Sequence, residues 1–183
     1  SQTPVKYQSA RAGRYVVPSE SSLHIRAAHK GDAGIILGLI KELAAYEKLA
    51  HEVVATEQDI DTQLFGAHPH AEALIAESAG TAVGFALFFH NFSTFLGCPG
   101  LYLEDLYVKP EFRGKGYGKK LLAHLAQLAL QRGCGRFEWA VLDWNTPAIR
   151  FYASLGAEIV DEWKINRMTG DALHKLAKTA ESQ

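Results

Sequence analysis

Ile35, Ile36, Leu39, Ile40 and Leu43 recur at three- and four-residue intervals after Asp32, which puts them on one face of a helix with Asp32 as its N-cap. The preceding run "LHIRAA" (23–28) reads as a first strand. Thr56 and Asp59 have the spacing of a capping box that opens a short helix carrying Ile60 and Leu64, ended by Gly66 and Pro69. Then the period shortens. "AEALIAES" and "TAVGFALFFHNF" are β-rich runs joined at Ala79-Gly80 as a hairpin, and "GLYLEDLYV" (100–108) follows the break at Gly97 to Gly100. Three neighbouring antiparallel strands are expected.

Helical spacing returns at Tyr117, where Leu121, Leu122, Leu125, Leu128 and Ala129 share a face that ends at Gly133. "RFEWAVL" (136–142) reads as a strand, and "TPAIRFYASLG" as a helix with Pro147 near its start and Gly156 past its end. "AEIVDEWKINRM" has strand character, and "DALHKLAK" is a closing helix. The order is mixed α/β with a strand-helix-strand crossover over 101–142, in one domain expected to span 23–183. No repeat, low-complexity tract or linker interrupts it. Residues 1–22 are polar and carry Lys6, Arg11 and Arg14 against a single acid, Glu20. They read as a flexible extension, with an expression remnant or a transit-type leader as alternatives.

With 183 residues, 48% hydrophobic and 21% charged, and a formal net charge of -1, the composition is that of an ordinary soluble protein, without the basic excess of a nucleic-acid binder. Cys98 and Cys134 are the two cysteines, in no CxxC and at no metal-ligand spacing. Two free thiols and a cytoplasmic location are expected, with no metal. His68 and His70 are too isolated for a metal site and read as surface-loop residues. No apolar stretch approaches the roughly 18 to 20 residues of a membrane span, so no membrane partner is expected either.

"VKPEFRGKGYGKK" (108–120) places Gly114, Gly116 and Gly118 where a strand hands over to a helix, with Arg113, Lys115, Lys119 and Lys120 around them. Backbone N–H groups at a helix N-terminus bind phosphate, and glycine lets the phosphate approach. A plain glycine-rich connection with solvated lysines accounts for the glycines alone nearly as well. The P-loop pattern fails because no Ser or Thr follows a Gly-Lys pair at the right spacing. The dinucleotide fingerprint fails because the spacing is GxGxG, and Glu138 downstream lies inside the next strand.

"RGKGYG" resembles the R/Q-x-x-G-x-G/A pyrophosphate loop of the GCN5-related N-acetyltransferases, and "VLDWNTPAIRFYASLGA" resembles their other signature, an Asn-bearing turn leading into a helix with a Phe-Tyr pair. Over residues 23 to about 178, "LIKELAAYEKL", "YLEDLYVKPEFRGKGYG" and "AVLDWN" are most similar to the diamine (spermidine/spermine) acetyltransferases and their thialysine-acetylating relatives. The resemblance implies a mixed, mostly antiparallel sheet flanked by helices on both faces and splayed between the strands containing Leu103 and Val141. It implies acetyl-CoA as co-substrate, without a metal, and a homodimer. By the same resemblance the coenzyme contacts are the backbone of Leu106, Tyr107 and Val108, then Arg113, Gly114, Lys115, Gly116, Tyr117, Gly118 and Lys119, and Asn145, Pro147, Ala148 and Tyr152. N–H groups of Leu106 to Val108 would stabilise the oxyanion.

A primary alkyl amine near its reference pKa of about 10.4 is protonated at neutral pH and must lose a proton before attack. Glu104, in "YLED", is the expected base, acting through a water; a strand-face carboxylate or one that only attracts a cationic substrate is the alternative. Strand alternation puts Asp105 on the opposite face unless a bulge intervenes, and Asp105 is a second candidate for holding the amine. Tyr152 is the expected acid for the departing thiolate, although Ala148, Phe151, Tyr152 and Leu155 also form a core-like stripe. Tyr46 and Glu47 match the branch's acceptor-anchoring pair, or are simply a solvated helix end. Glu138, Trp139 and Ala140 are expected to line the pocket, and Trp144 lines it or packs. Ser93 and Phe95 stand where the polyamine enzymes carry an acid and a Trp, which favours a thialysine-like amino acid or diamine as acceptor. Cys134 has no base beside it in sequence, so direct transfer in a ternary complex is expected over a ping-pong route. The alternatives are a polyamine or protein-amine acetyltransferase, or a non-catalytic acetyl-CoA-binding regulatory module.

Overall fold

The computed structural model describes residues 22–182, and its contacts divide the chain at Ala140/Val141 into two units. The expectation of a flexible segment over 1–22 lies, apart from Ser22, outside the described residues.

The first unit runs β1 (His24–Ala27), α1 (Ala33–Tyr46), a 3-10 turn (Ala50–Glu52), α2 (Glu57–Phe65), β2 (Glu72–Ser78), β3 (Thr81–Ser93), β4 (Cys98–Val108), a second 3-10 turn (Pro110–Phe112), α3 (Tyr117–Gln131) and β5 (Phe137–Trp139). Its five strands lie in sequence order, antiparallel from β1 to β4, with β5 parallel to β4. The crossover expected through α3 is therefore present, and the antiparallel set gains β1. Ala79 (φ 50) and Gly80 (φ 76) both take the left-handed conformation that a two-residue hairpin turn requires.

Alternation sorts the sheet into two covered faces. Ile75, Phe85 and Tyr107 form a cluster with Ile36, Leu39 and Leu43 of α1 and Ile60 and Leu64 of α2. Phe88 and Leu103 are register partners on the other face, where Arg132 at the end of α3 lies over the Phe88 ring. Leu121 and Leu125 of α3 are fully buried. The capping box forms as its spacing predicts: Asp59 N donates to Thr56 Oγ1, and Thr56 N to the Asp59 carboxylate. Asp32 is the N-cap of α1 by position, but no cap bond forms. Its buried carboxylate accepts from Arg26 at 2.8 and 3.0 Å and from His29 N at 2.8 Å, tying β1 to the start of α1.

Two strand expectations are corrected. The strand expected over 136–142 is confined to Phe137–Trp139, because its pairing with β4 stops at Leu103↔Trp139 and Val141 lies beyond any strand. "AEIVDEWKINRM" forms no strand: without a ladder partner its β pattern has nothing to pair with, and Val160 and Trp163 close a turn instead. The second unit contains α4 (Thr146–Ser154) and α5 (Gly170–Lys178).

Candidate active site

β4 outlasts its neighbour. Beyond Leu103 it continues through Glu104 to Val108 with β3 on one edge and, among the described residues, no strand on the other. Lys109 N donates to Val83 O at 2.8 Å, so the alternation of an antiparallel ladder turns the N–H groups of Val108 and Leu106 toward the vacated edge. Tyr107 faces β3 instead. A Cβ on Gly84 would lie 2.6 Å from the Tyr107 carbonyl oxygen, so only glycine lets β3 approach this part of β4. Of the three residues expected at the oxyanion, Leu106 and Val108 thus present donors, while the Tyr107 ring is buried against α1.

A register shift between Leu87 and Phe88 lets β4 accommodate Glu104 as an extra residue. Phe89 pairs with Tyr102 and Leu87 with Asp105, so Tyr102 and Asp105 share a face although they are three residues apart. Tyr102 stacks at 5.2 Å on Phe89. This bulge resolves the alternation problem raised by the sequence: Glu104 is exposed, and its charge acts on both Asp105 and Tyr102.

Asp105 opens into a pocket walled by Ile40, Leu43, Leu49 and Val53, which also contains the carboxylates of Glu47 and Glu52. Burial first, then the charges of Glu104 and Glu47, raises Asp105 to about 6. Burial alone raises Glu47. A cation offered to this pocket would relieve both effects. Glu52, Leu49 and Val53 were missed by sequence reasoning because residues 49–53 fit neither period. The signal available was Leu49 and Val53, apolar residues flanking the acid Glu52.

The glycine loop has the expected geometry. Gly114 (φ 76) and Gly116 (φ 79) are left-handed, and a Cβ on either meets nothing within 4 Å, so backbone conformation rather than crowding demands glycine. Gly116 is the N-cap of α3, without a capping side chain and without an acid in the first turn, which holds Gly118, Lys119 and Lys120. Tyr117 is buried and stacks with Phe112, over which Lys115 Nζ sits at 5.3 Å. The free N-terminal amides and the lysines suit a diphosphate. Arg113 is engaged elsewhere: its Nε donates to Val108 O at 2.9 Å, and its guanidinium lies 4.8 Å from the Tyr46 ring centre.

Glu138 does not stand ready for a substrate. Its carboxylate lies 2.7 Å from Arg136 Nε and accepts from Asn91 at 3.3 Å, an edge clasp between β3 and β5. Trp139 is half-buried beside Phe137, and Ala140 is exposed. Ser93 Oγ accepts from Leu96 N, and Phe95 is 96% exposed at the β3–β4 turn. Among the described residues no group of His, Cys, Asp and Glu could hold a metal, and no helix is long and apolar enough to cross a membrane. Both cysteines are free thiols.

In the second unit Asn145 is the N-cap of α4, its side chain accepting from Ala148 N at 3.4 Å, with Pro147 in the first turn. Tyr152 is half-buried with its ring 5.4 Å from that of Phe151, and Leu155 is 38% exposed, so the apolar stripe is not a sealed core. Gly156 (φ 91) ends the helix, with Ala157 N reaching back to Tyr152 O.

The chain is similar to known proteins. Residues 40–157 match the family model described as acetyltransferase (GNAT) family, a stretch that takes in parts of both units. Thialysine N-epsilon-acetyltransferase of Sus scrofa is 41% identical over 168 residues, covering 86% of this chain and 98% of that protein. L-ornithine N5-acetyltransferase NATA1 of Arabidopsis thaliana is 33% identical, covering 84% and 87%. The solved structure of an integron cassette protein from the mobile metagenome of V. cholerae superimposes with a TM-score of 0.73 at 32% identity, covering 86% of this chain and 98% of that one.

The raised pKa of Asp105 has a consequence for stability. A carboxyl that binds its proton more tightly when folded contributes fully below its unfolded pKa, and that contribution is lost as pH rises through about 6. Urea unfolding of Asp105→Asn should match the parent near pH 4 and exceed it by about 1–2 kcal/mol at pH 8. An equal difference at both pH values would show that Asp105 is well solvated.

Proposed function

Since the chain belongs to the acetyltransferase (GNAT) family and is an N-acetyltransferase, we propose that it transfers the acetyl group of acetyl-CoA to the side-chain amine of a small amino acid or diamine of the thialysine type. The observation that carries this reading is the pocket of Glu47, Glu52 and Asp105 beside the open edge of β4. Carboxylates on apolar walls suit a short alkyl chain bearing cations. The names of the relatives, which include an ornithine acetyltransferase, point to the same class.

The amides after Arg113, with Lys115 and Lys119, hold the diphosphate; Asn145, Pro147 and Ala148 contact the coenzyme arm. Leu106 and Val108 N–H groups receive the carbonyl oxygen as it gains charge. Glu104, exposed at the bulge, takes the ammonium proton through a water, and Asp105 with Tyr46 and Glu47 holds the acceptor. The neutral nitrogen then attacks the thioester carbon within a ternary complex and gives up its second proton to solvent water as the C–S bond breaks, while Tyr152 protonates the leaving thiolate. Two free thiols suit a reducing cytoplasm.

The acting form is a homodimer in this reading. Ile159, Trp163 and Ile165 are 60%, 76% and 75% exposed in a segment with strand pattern and no ladder, apolar surface that a second copy would cover.

Release of CoA thiol measured against thialysine, ornithine, lysine, diamines and spermidine should give the highest kcat/KM with the amino acids or short diamines; turnover of spermidine alone would overturn the acceptor class. Tyr152→Phe should fold and bind acetyl-CoA normally while kcat falls roughly 100-fold, the lower range for loss of an acid. An unchanged rate with chemistry limiting would remove Tyr152 from the mechanism. Sedimentation equilibrium should give twice the chain mass, and Trp163→Ser with Ile165→Lys should shift it toward the monomer; a monomeric parent would refute the dimer.

A further inference from the structure

Arg113 opens the phosphate-loop signature, yet its side chain turns back toward α1. Nε is held by Val108 O at 2.9 Å, and the guanidinium carbon lies 4.8 Å from the Tyr46 ring centre and 5.6 Å from that of Tyr107. The two rings differ in burial. Tyr107 is buried in the core cluster and hydrogen-bonded to Glu42, which also pairs with Lys109 at 3.5 Å. Tyr46 is the last residue of α1 and is 40% exposed.

The turn after Tyr46, whose Glu47 N and Lys48 N donate to Leu43 O and Ala45 O, leads into the pocket. From it Glu47 and Leu49 enter the amine pocket, and its Lys48 is left-handed (φ 62), a conformation unfavourable for any residue with a Cβ. Leu49 N reaches back to Ala44 O to close the turn. A planar cation braced on a buried ring can also stack on an exposed one, which a lysine ammonium does less well.

We propose that Arg113 is a positioning residue for the amine pocket: through Tyr46 it fixes the end of α1, so that Glu47 and Leu49 stand opposite Asp105. The inference rests on assigning that pocket to the acceptor. It makes the side chain of Arg113 serve the amine while the amides after it serve the diphosphate, and it predicts that the two half-reactions of binding separate on substitution.

The test uses the full chain with Arg113→Ala and Arg113→Lys. Arg113→Ala should raise the KM for the amine about three- to tenfold, with kcat and the Kd of acetyl-CoA, measured by calorimetry, changed less than about twofold. Arg113→Lys should recover less than half of the loss, and Arg113→Ala should add nothing further in a Tyr46→Leu background. Hydrogen exchange over residues 44–49, measured without any ligand, should be faster in Arg113→Ala. Weakened acetyl-CoA binding with an unchanged amine KM, full rescue by lysine, or unchanged exchange at the end of α1 would each overturn the positioning role. Faster exchange with an unchanged amine KM would uphold it and overturn the assignment of the pocket to the acceptor.

Discussion

The arrangement around β4 depends on its having, among the described residues, a strand partner on one edge only after Leu103. A strand paired on both sides has no donors to offer a ligand, because every N–H is committed to a ladder. Here β5 departs at Trp139 while β4 runs on for another five residues, so the N–H groups of Leu106 and Val108 are held at fixed spacing and left open. β3 keeps this stretch rigid on the other side, and Gly84 permits the close approach. The same stretch carries Glu104 and Asp105 and leads directly into the glycine loop. The exposed Glu104, the half-buried Asp105, the outward N–H groups and the left-handed glycines therefore lie on one segment of 13 residues, from Glu104 to Gly116.

The electrostatics depend on how that segment is covered. Asp105 faces apolar walls and two other acids, so it is costly to ionise, whereas Glu104 is pushed outward by the bulge. Two adjacent carboxylates thus stand in different surroundings, Glu104 exposed and Asp105 facing apolar walls. Glu138, by contrast, is matched by Arg136 and Asn91 and contributes to the edge of the sheet.

Most elements were legible because their periodicities are long and their ends are marked. The faces of α1 and α3, the Thr56–Asp59 box and the Ala79-Gly80 hairpin each rest on local geometry that the chain carries in itself. Where the sequence misled, the deciding partner was not local. Residues 157–168 alternate like a strand but have no ladder partner among the described residues, and 140–142 lose theirs when β5 leaves β4. Asp32 has the right identity for a cap, yet Arg26 outcompetes the helix N–H groups for its oxygens. The left-handed backbone of the glycine turn was legible because glycine spacing reports backbone angles directly. The direction taken by the Arg113 side chain was not, since it depends on two tyrosines distant from each other in the chain.

α3 is fastened at both ends. Tyr117 is sunk beside Phe112 at its start, and just past its last turn Arg132 grips Glu72 of β2 through both nitrogens at 2.6 and 2.9 Å. Between them Leu121 and Leu125 are wedged into the sheet. Sliding the helix along its axis would break the grip or lift the wedge, so the span from the glycine turn before α3 to the open edge of β4 behaves as a ruler of set length. Any group seated at that turn would therefore meet the edge of β4 at one fixed distance.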